Sequence, residues 1–326
     1  MKILCIGDPD SGVVYHRIYK PFTLLKEKGL LDFQIINYKQ PIPEADWEGV
    51  THVIFSRALP FSGESFANFF AICKATGKKV IIDNDDWWHL ALDHPSKATY
   101  DKANLSGRIV NSMYFADEVW TTQKYLADKI KKVNKNVHII PNGLDPADPQ
   151  WQITRQEANE VRFGYVAGIS HLPDLVKNKI DLSPYESYVA DIGGYPQAAK
   201  ARFALETQSP NEYGKLYQAF DVALAPLIPS EFNRCKSNLK MVEAGFAGCA
   251  LIVSDVAPYS QHLNKNNCIA VKHKGDWASA IKYLHENPNK AGDIALTLHE
   301  EMTTNFNIHD FNDIRFERLQ KMQQLK

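Results

Sequence analysis

Short runs of apolar residues that do not alternate recur along the whole 326-residue chain, and they constrain its fold more than any other feature. KILCIG at 2–7, FQIINY at 33–38, THVIFSR at 51–57 and KVIIDNDD at 79–86 come first, followed by EVWTT at 118–122 and NVHIIPNGLD at 136–145. A strand covered by helices on both faces reads in this way, whereas a half-solvated strand alternates. Stretches of helical period separate the runs. At 14–28, Ile18, Phe22 and Leu25 share a face, Gly29 closes the helix, and Pro21 predicts a kink or a later start. Further helices are expected at 64–76, 102–114 and 123–133. Strand–helix alternation of this length implies right-handed crossovers and a parallel sheet.

The segment 145–160, DPADPQWQITRQEANE, is polar, carries two prolines and has no apolar period, so it reads as a linker. The pattern then restarts with VRFGYVAG at 161–168, a segment at 172–180, YESYVADIGG at 185–194, ARFALE, a helix at 211–220 and DVALAPL at 221–227. After residue 255 come CIAVK at 268–272, helices at 276–286 and 291–306, and a charged amphipathic tail at 308–326. The expected fold is α/β, two Rossmann-like domains facing across a cleft, with boundaries at 1–147, 148–307 and 308–326.

The segment 231–255, EFNRCKSNLKMVEAGFAGCALIVSD, is the densest candidate for chemistry. It reads as a polar loop, a helix at 238–246, an Ala-Gly turn and a buried strand. Lys236, Lys240 and Glu243 fall at i, i+4 and i+7 on one face; Leu239, Val242 and Phe246 form the face expected to be buried. Ser237 and Asn238 are N-cap residue types, and a helix start beside two lysines suits an anion. Glu243 cannot bind that anion, but its carboxylate can accept bonds from the hydroxyls of a ribose. The plainer alternative is a Lys240–Glu243 pair on a solvated face.

Three further clusters stand at strand ends, where ligands of open α/β sheets sit. DPDSGVVYHR follows the first strand and contains Gly12, either for close approach of a ligand or for the turn, with His16 and Arg17 opening the next helix. Asp83, Asp85 and Asp86 close the 79–86 run. Crowded carboxylates need a cation, hydrogen bonds or shifted pKa values, and one of them can act as a base or orient a hydroxyl. Trp87 and Trp88 follow, as a stacking platform for an acceptor or as packing under the loop. GYVAGISHLPDL at 164–175 opens the second half with His171 and Asp174 in its turn.

Other functions lose their support. No G-x-G-x-x-G or Walker A motif follows a first strand, against a dinucleotide oxidoreductase or P-loop enzyme. With 37 basic and 38 acidic residues there is no global footprint for nucleic acid, although 124–135 is locally basic. Five cysteines with no CxxC spacing predict reduced thiols and no structural zinc. The apolar run at the start is too short for a signal peptide and nothing approaches 18 apolar residues, so a cytoplasmic protein with no membrane span is expected.

IIPNGLD at 139–145, the GYVAG…H..DL opening and KSNLKMVEAGFAGCALIVSD together resemble the GT-B glycosyltransferases, in particular the retaining group related to glycogen and sucrose synthases. K-S-N-x-K-x-x-E-A joined with a D-x-D-D-W segment is similar to phage and bacterial polysaccharide versions. The resemblance implies a nucleotide-sugar donor (UDP- or another NDP-sugar), no required cofactor and no metal. It puts Glu243 on the donor ribose, and Lys236, Ser237 and Lys240 on the diphosphate with Gly12 facing them. It also implies a tail that crosses back to the first domain. The first Glu of the Glu-x7-Glu motif falls on Cys235, with Glu231 four residues earlier. The full expectation assigns donor binding to Gly12, Arg17, His171, Lys236, Ser237, Asn238, Lys240 and Glu243. It assigns catalysis to Asp85, Asp86 and His16, and acceptor binding to Asp83, Trp87 and Trp88. The acceptor is a cell-surface glycan or similar; the alternatives are a hydroxymethylated pyrimidine in phage DNA, or a non-catalytic nucleotide-sugar-binding protein.

Overall fold

The computed structural model describes residues 1–37, 47–59, 63–152, 154–155, 158–190 and 196–324. The expected strand end at Tyr38, the proline-rich connection after it, the end of the 185–194 run, parts of the 145–160 linker and the last two tail residues lie outside that set.

Continuous apolar runs become two six-stranded sheets. The first contains β1 (Lys2–Ile6), β2 (Asp32–Ile36), β3 (Val50–Ser56), β4 (Lys79–Asp83), β5 (Glu118–Thr121) and β6 (Val137–Ile139) in the order β2-β1-β3-β4-β5-β6. The second contains β7 (Phe163–Val166), β8 (Ser187–Ala190), β9 (Phe203–Leu205), β10 (Val222–Ala225), β11 (Ala250–Ser254) and β12 (Ile269–Val271) in the order β12-β11-β10-β7-β8-β9. Every pairing is parallel. Strand order reverses beside β1 in one sheet and beside β7 in the other, and such switch points open a crevice at the strand carboxyl ends.

The helices differ from the sequence expectation in instructive ways. The first is three pieces: an α-turn Gly12–Val14, a π-turn Tyr15–Tyr19 and an α-helix Lys20–Glu27 with Pro21 in its first turn. Pro21 has no N–H for the carbonyl of Arg17, and the wider π-turn absorbs the mismatch. The expected 102–114 helix is split into Lys97–Lys102 and Leu105–Phe115 by Asn104 at φ 47°. Gln123 caps Lys124–Ile130 by accepting the Tyr125 N–H, so that helix starts one residue late. The 211–220 segment is a 3-10 helix, Tyr213–Ala219. Asp276–Glu286 lies where the period puts it, and Pro288–Asn305 starts three residues early.

The chain passes between the halves twice, side by side. Leu144 donates its N–H to Phe306 O (3.0 Å) and accepts from Ile308 N (3.0 Å), joining the linker to the start of the tail helix Ile308–Gln324. A Cβ on Gly143 would lie 2.9 Å from the Ile308 backbone, so only glycine permits this approach. Lys20 ties the same place down through Asp145 (3.3 Å) and Asp148 (3.0 Å). The tail helix packs on the first half: Asn312 Nδ2 donates to Pro21 O (2.9 Å), and Arg318 pairs with the buried Glu118. No helix among the described residues is long and apolar enough to cross a membrane.

Candidate functional site

A cavity of about 460 Å³ opens between the two sheets at their carboxyl ends. Gly12, His16, Arg17, Asp85 and Asp86 reach it from the first half, and His171, Lys236, Ser237, Lys240 and Glu243 from the second. Sequence reasoning thus brought together ten residues from four segments. It did not anticipate Arg57 and Asn142 from the first half or Tyr213 from the second. Arg57 was visible as the last residue of the THVIFSR run at a strand end. Tyr213 carried no signal, because its 3-10 helix has no apolar period to orient it.

On the second half, the helix Leu239–Phe246 buries Met241, Val242, Ala244 and Phe246. Leu239, expected in the core, is half-buried on the cavity wall, because Met241 occupies the core position beside Val242. Glu243 is 2% exposed, and its Oε2 accepts from Tyr217 Oη (2.8 Å) and Lys240 Nζ (2.9 Å). Lys240 also donates to Tyr213 Oη (2.7 Å). Burial lowers the Lys240 pKa, but Glu243 and Tyr213 more than offset it and the ammonium is stabilised. Lys240 is thus paired with Glu243 on the cavity wall, a buried form of the i, i+3 pair.

Lys236 differs from it. Its Nζ has no carboxylate partner among the described residues; it lies 3.4 Å from His171 Nε2 and 4.7 Å from the centre of the Phe232 ring. His171 Nδ1 is 3.4 Å from Asp174 Oδ2, and Asp174 Oδ1 accepts from Ile228 N and Asn233 Nδ2. Burial, with Lys236 beside it, pushes the His171 pKa down to about 4, so the ring is neutral and Nε2 accepts from the ammonium. Burial also lowers His16, on the opposite wall, and puts His52, a buried residue of β3, at about 4. These folded values lie below the unfolded value of about 6.5, so the unfolded chain binds more protons between pH 6.5 and 4. Stability is expected to fall through that window as pH drops. Thermal melts from pH 7 to 4 check this, and a flat profile refutes neutral His52 and His171.

Ser237 Oγ accepts from Asn142 Nδ2 (2.9 Å), joining the halves beside Lys236. Asn238 is the N-cap residue by position but makes no side-chain cap bond; it is buried and does not reach the cavity. A Cβ added to Gly12 would meet no atom within 4 Å, so its bare backbone is open to the cavity.

On the first half, Arg17 and Asp83 are each 1% exposed and form a forked pair, Nε–Oδ1 2.9 Å and Nη2–Oδ2 2.8 Å. Arg17 Nη1 adds Ile140 O (2.7 Å) and Asn142 Oδ1 (3.0 Å). Arg17 therefore reaches the cavity with its hydrogen-bonding edges already engaged, and Asp83 does not reach it at all. Trp88 is 4% exposed in the core, and Trp87 packs against it at 4.3 Å between ring centres with Lys129 over its face. Neither ring lines the cavity, which corrects the expected stacking platform: the apolar core under the loop holds them. Asp85 and Asp86 do line it, with Arg57 forked onto Asp85 at 2.8 and 3.2 Å. The expected three-carboxylate crowding is thus divided between two guanidiniums, Arg17 and Arg57. No group of three His, Cys, Asp or Glu side chains among the described residues is arranged to hold a metal ion.

Cys235 is fully buried among first-half core residues, with its thiol pushed up to about 12 by burial. Glu231 turns away from the cavity to Tyr125 Oη (2.6 Å) and Lys129. Neither supplies a carboxylate to the wall.

Two parallel Rossmann-like sheets facing across a cleft define the GT-B fold. Among solved structures, the chain is similar to Anabaena HepE, crystallised with UDP-glucose (14% identity, 98% of this chain and 100% of that one, TM-score 0.65). It is also similar to a glycosyltransferase from Rickettsia africae (14%, 100% and 99%, TM-score 0.64) and to sucrose-phosphate synthase from Thermosynechococcus elongatus (13%, 99% and 99%, TM-score 0.59). No protein-family model and no curated protein sequence matches the chain.

Proposed function

We propose that the protein is a glycosyltransferase that moves a sugar from a nucleotide-sugar, UDP- or another NDP-sugar, to a hydroxyl acceptor such as a cell-surface glycan. One observation carries the reading: an ammonium with no carboxylate partner among the described residues, Lys236, and a buried carboxylate, Glu243, share a cavity wall at the start and along one side of one helix. Lys236 and the helix N–H groups take the diphosphate, and Glu243 takes the ribose hydroxyls. Anabaena HepE, with the same fold, binds UDP-glucose, which supports a nucleotide-sugar as the donor. In the transfer, the acceptor oxygen bonds to the sugar C1 while the C1–O bond to the diphosphate breaks. The diphosphate leaves with the electron pair beside Lys236, and the hydroxyl proton passes to a carboxylate, for which Asp86 stands on the wall opposite.

The wall contributed by the first half carries Asp10, Asp85 and Asp86 against Arg17 and Arg57, both of which carboxylates already engage, Asp83 and Asp85 respectively. That favours an uncharged polyol over a DNA phosphate backbone. In the basic 124–135 segment, Lys124 and Lys131 pair with Asp128, and Lys129 pairs with Glu231. Cys235 in place of a carboxylate favours the binding-only reading as the second choice. A thermal-shift panel of nucleotide-sugars, followed by hydrolysis and transfer assays with glycan and hydroxymethylated-duplex acceptors, tests these together. A rise in Tm with one nucleotide-sugar, then its turnover, is expected; binding without any hydrolysis leaves the binding protein, and no shift with any of them refutes both.

A further inference from the structure

We propose that Arg57 is a positioning residue of the cavity, which fixes Asp85 as a standing anion and leaves Asp86 as the carboxyl that takes up the acceptor's proton. The proposal rests on the glycosyl-transfer reading. Arg57 follows β3 at the switch point of the first sheet, and its φ is 63°, a conformation glycine would adopt more readily. Its backbone N–H is fastened to Asp83 O at 2.8 Å, so the turn and the acid segment are joined at the main chain as well. The guanidinium is committed: Nε to Asp85 Oδ1 (2.8 Å), Nη2 to Asp85 Oδ2 (3.2 Å), and Nη1 to Tyr100 Oη (3.4 Å). With those edges engaged it is poorly placed to grip a phosphate, and its charge acts on the acids.

Asp86 is held differently. Its Oδ2 lies 3.6 Å from Arg57 Nη2, beyond a hydrogen bond, and its Oδ1 accepts only the N–H of Trp87 (3.2 Å) among the described residues. Neighbouring carboxylates in one buried place repel, and the one with the stronger cation keeps its charge. Burial raises both acids; Arg57 first, with Arg17 adding to it, more than offsets this for Asp85, which also faces Asp83, whereas Asp86 stays raised although Lys236 and Arg57 oppose the rise. The charged groups facing Asp86 are Lys236 from the second half, Arg57 from the end of β3 and Asp85 beside it. The buried Cys235 thiol, which also senses Asp86, stays neutral.

The test is a carbon-13 carboxyl NMR titration of Asp85 and Asp86 in the wild type, Arg57→Ala, Arg57→Lys and Arg57→Gly, beside the pH profile of donor hydrolysis. In the wild type the two acids titrate apart, Asp86 at the higher pH. In Arg57→Ala the separation shrinks and the acid limb of hydrolysis moves up by about one pH unit; Arg57→Lys restores part of both. Arg57→Gly, which relieves the backbone, titrates like Arg57→Ala and supplies a folded variant should alanine unfold the turn. Acids that titrate together in the wild type, a separation unmoved in Arg57→Ala, or Arg57→Lys matching Arg57→Ala overturns the proposal. The titration needs no donor, so absence of hydrolysis counts against the transferase reading and not against Arg57.

Discussion

Replacing Asp83 with asparagine is expected to cost about 3–5 kcal/mol of folding stability, the range for breaking a buried ion pair from one side. Arg17 and Arg315 are both fully buried, and Asp83 is the carboxylate both face. Arg315 Nε and Nη2 have no hydrogen-bond partner among the described residues, and burial with Arg17 close by pushes its pKa down to about 9. Asp83→Asn would leave two guanidiniums against each other in the core. Arg17→Met removes one of the two cations and leaves Arg315 to answer Asp83, so it should cost less. Thermal and urea melts of both variants check the order: a fall in Tm on the order of 10 °C for Asp83→Asn, and a smaller one for Arg17→Met. Equal losses would mean that Arg315 does not feel Asp83. A loss below about 1 kcal/mol in Asp83→Asn would mean the pair is not closed in solution.

Lys236→Ala should weaken binding of the nucleotide-sugar by roughly 10–100-fold, the worth of a hydrogen bond to a charged group. It should leave Tm unchanged or slightly raised. The split arises because no carboxylate among the described residues is in contact with Lys236, so alanine removes a desolvated cation held only by the His171 ring and the Phe232 face. Glu243→Ala should lose affinity and stability together, because it strands the buried Lys240 ammonium that Glu243 and Tyr213 hold. Calorimetric titration of the best donor against both variants, beside their melts, separates the two roles. Unchanged affinity in both would remove the donor site from this wall.

The sheets were legible because strands buried on both faces leave uninterrupted apolar runs, and Ala250–Ser254 is buried at every position. Six of the ten cavity residues were legible because they follow such runs, and Lys236, Ser237, Lys240 and Glu243 because of their spacing at the start and on one face of a helix. What the sequence could not show was which charges would be spent on one another. Arg17 and Asp83 are 66 positions apart, and only the fold shows that they satisfy each other. Trp87 and Trp88 looked like a platform because polar residues surround them, yet packing from the Leu105–Phe115 side and the sheet encloses Trp88. Helix breaks were legible only where a proline marked them: Pro21 announced the interruption that the π-turn supplies, whereas the Asn104 break depends on a single local backbone choice that periodicity averages away.

The paired crossing at Leu144 and Ile308 gives the two halves a fixed pivot. There the two halves share backbone hydrogen bonds, a glycine-only contact and the Lys20 ion pairs. Around the cavity they are joined by a few polar links: Gln123 Nε2 to Arg234 O (2.7 Å), Tyr125 to Glu231, Asn142 to Ser237, and Asp93 with Lys177. A hinge fixed at one place and latched elsewhere by a few polar links and the buried Cys235 would open by rotation and reclose in register. On the proposed reading, Gln123→Ala or Asp93→Ala should shorten the residence time of a bound nucleotide-sugar although neither residue lines the cavity.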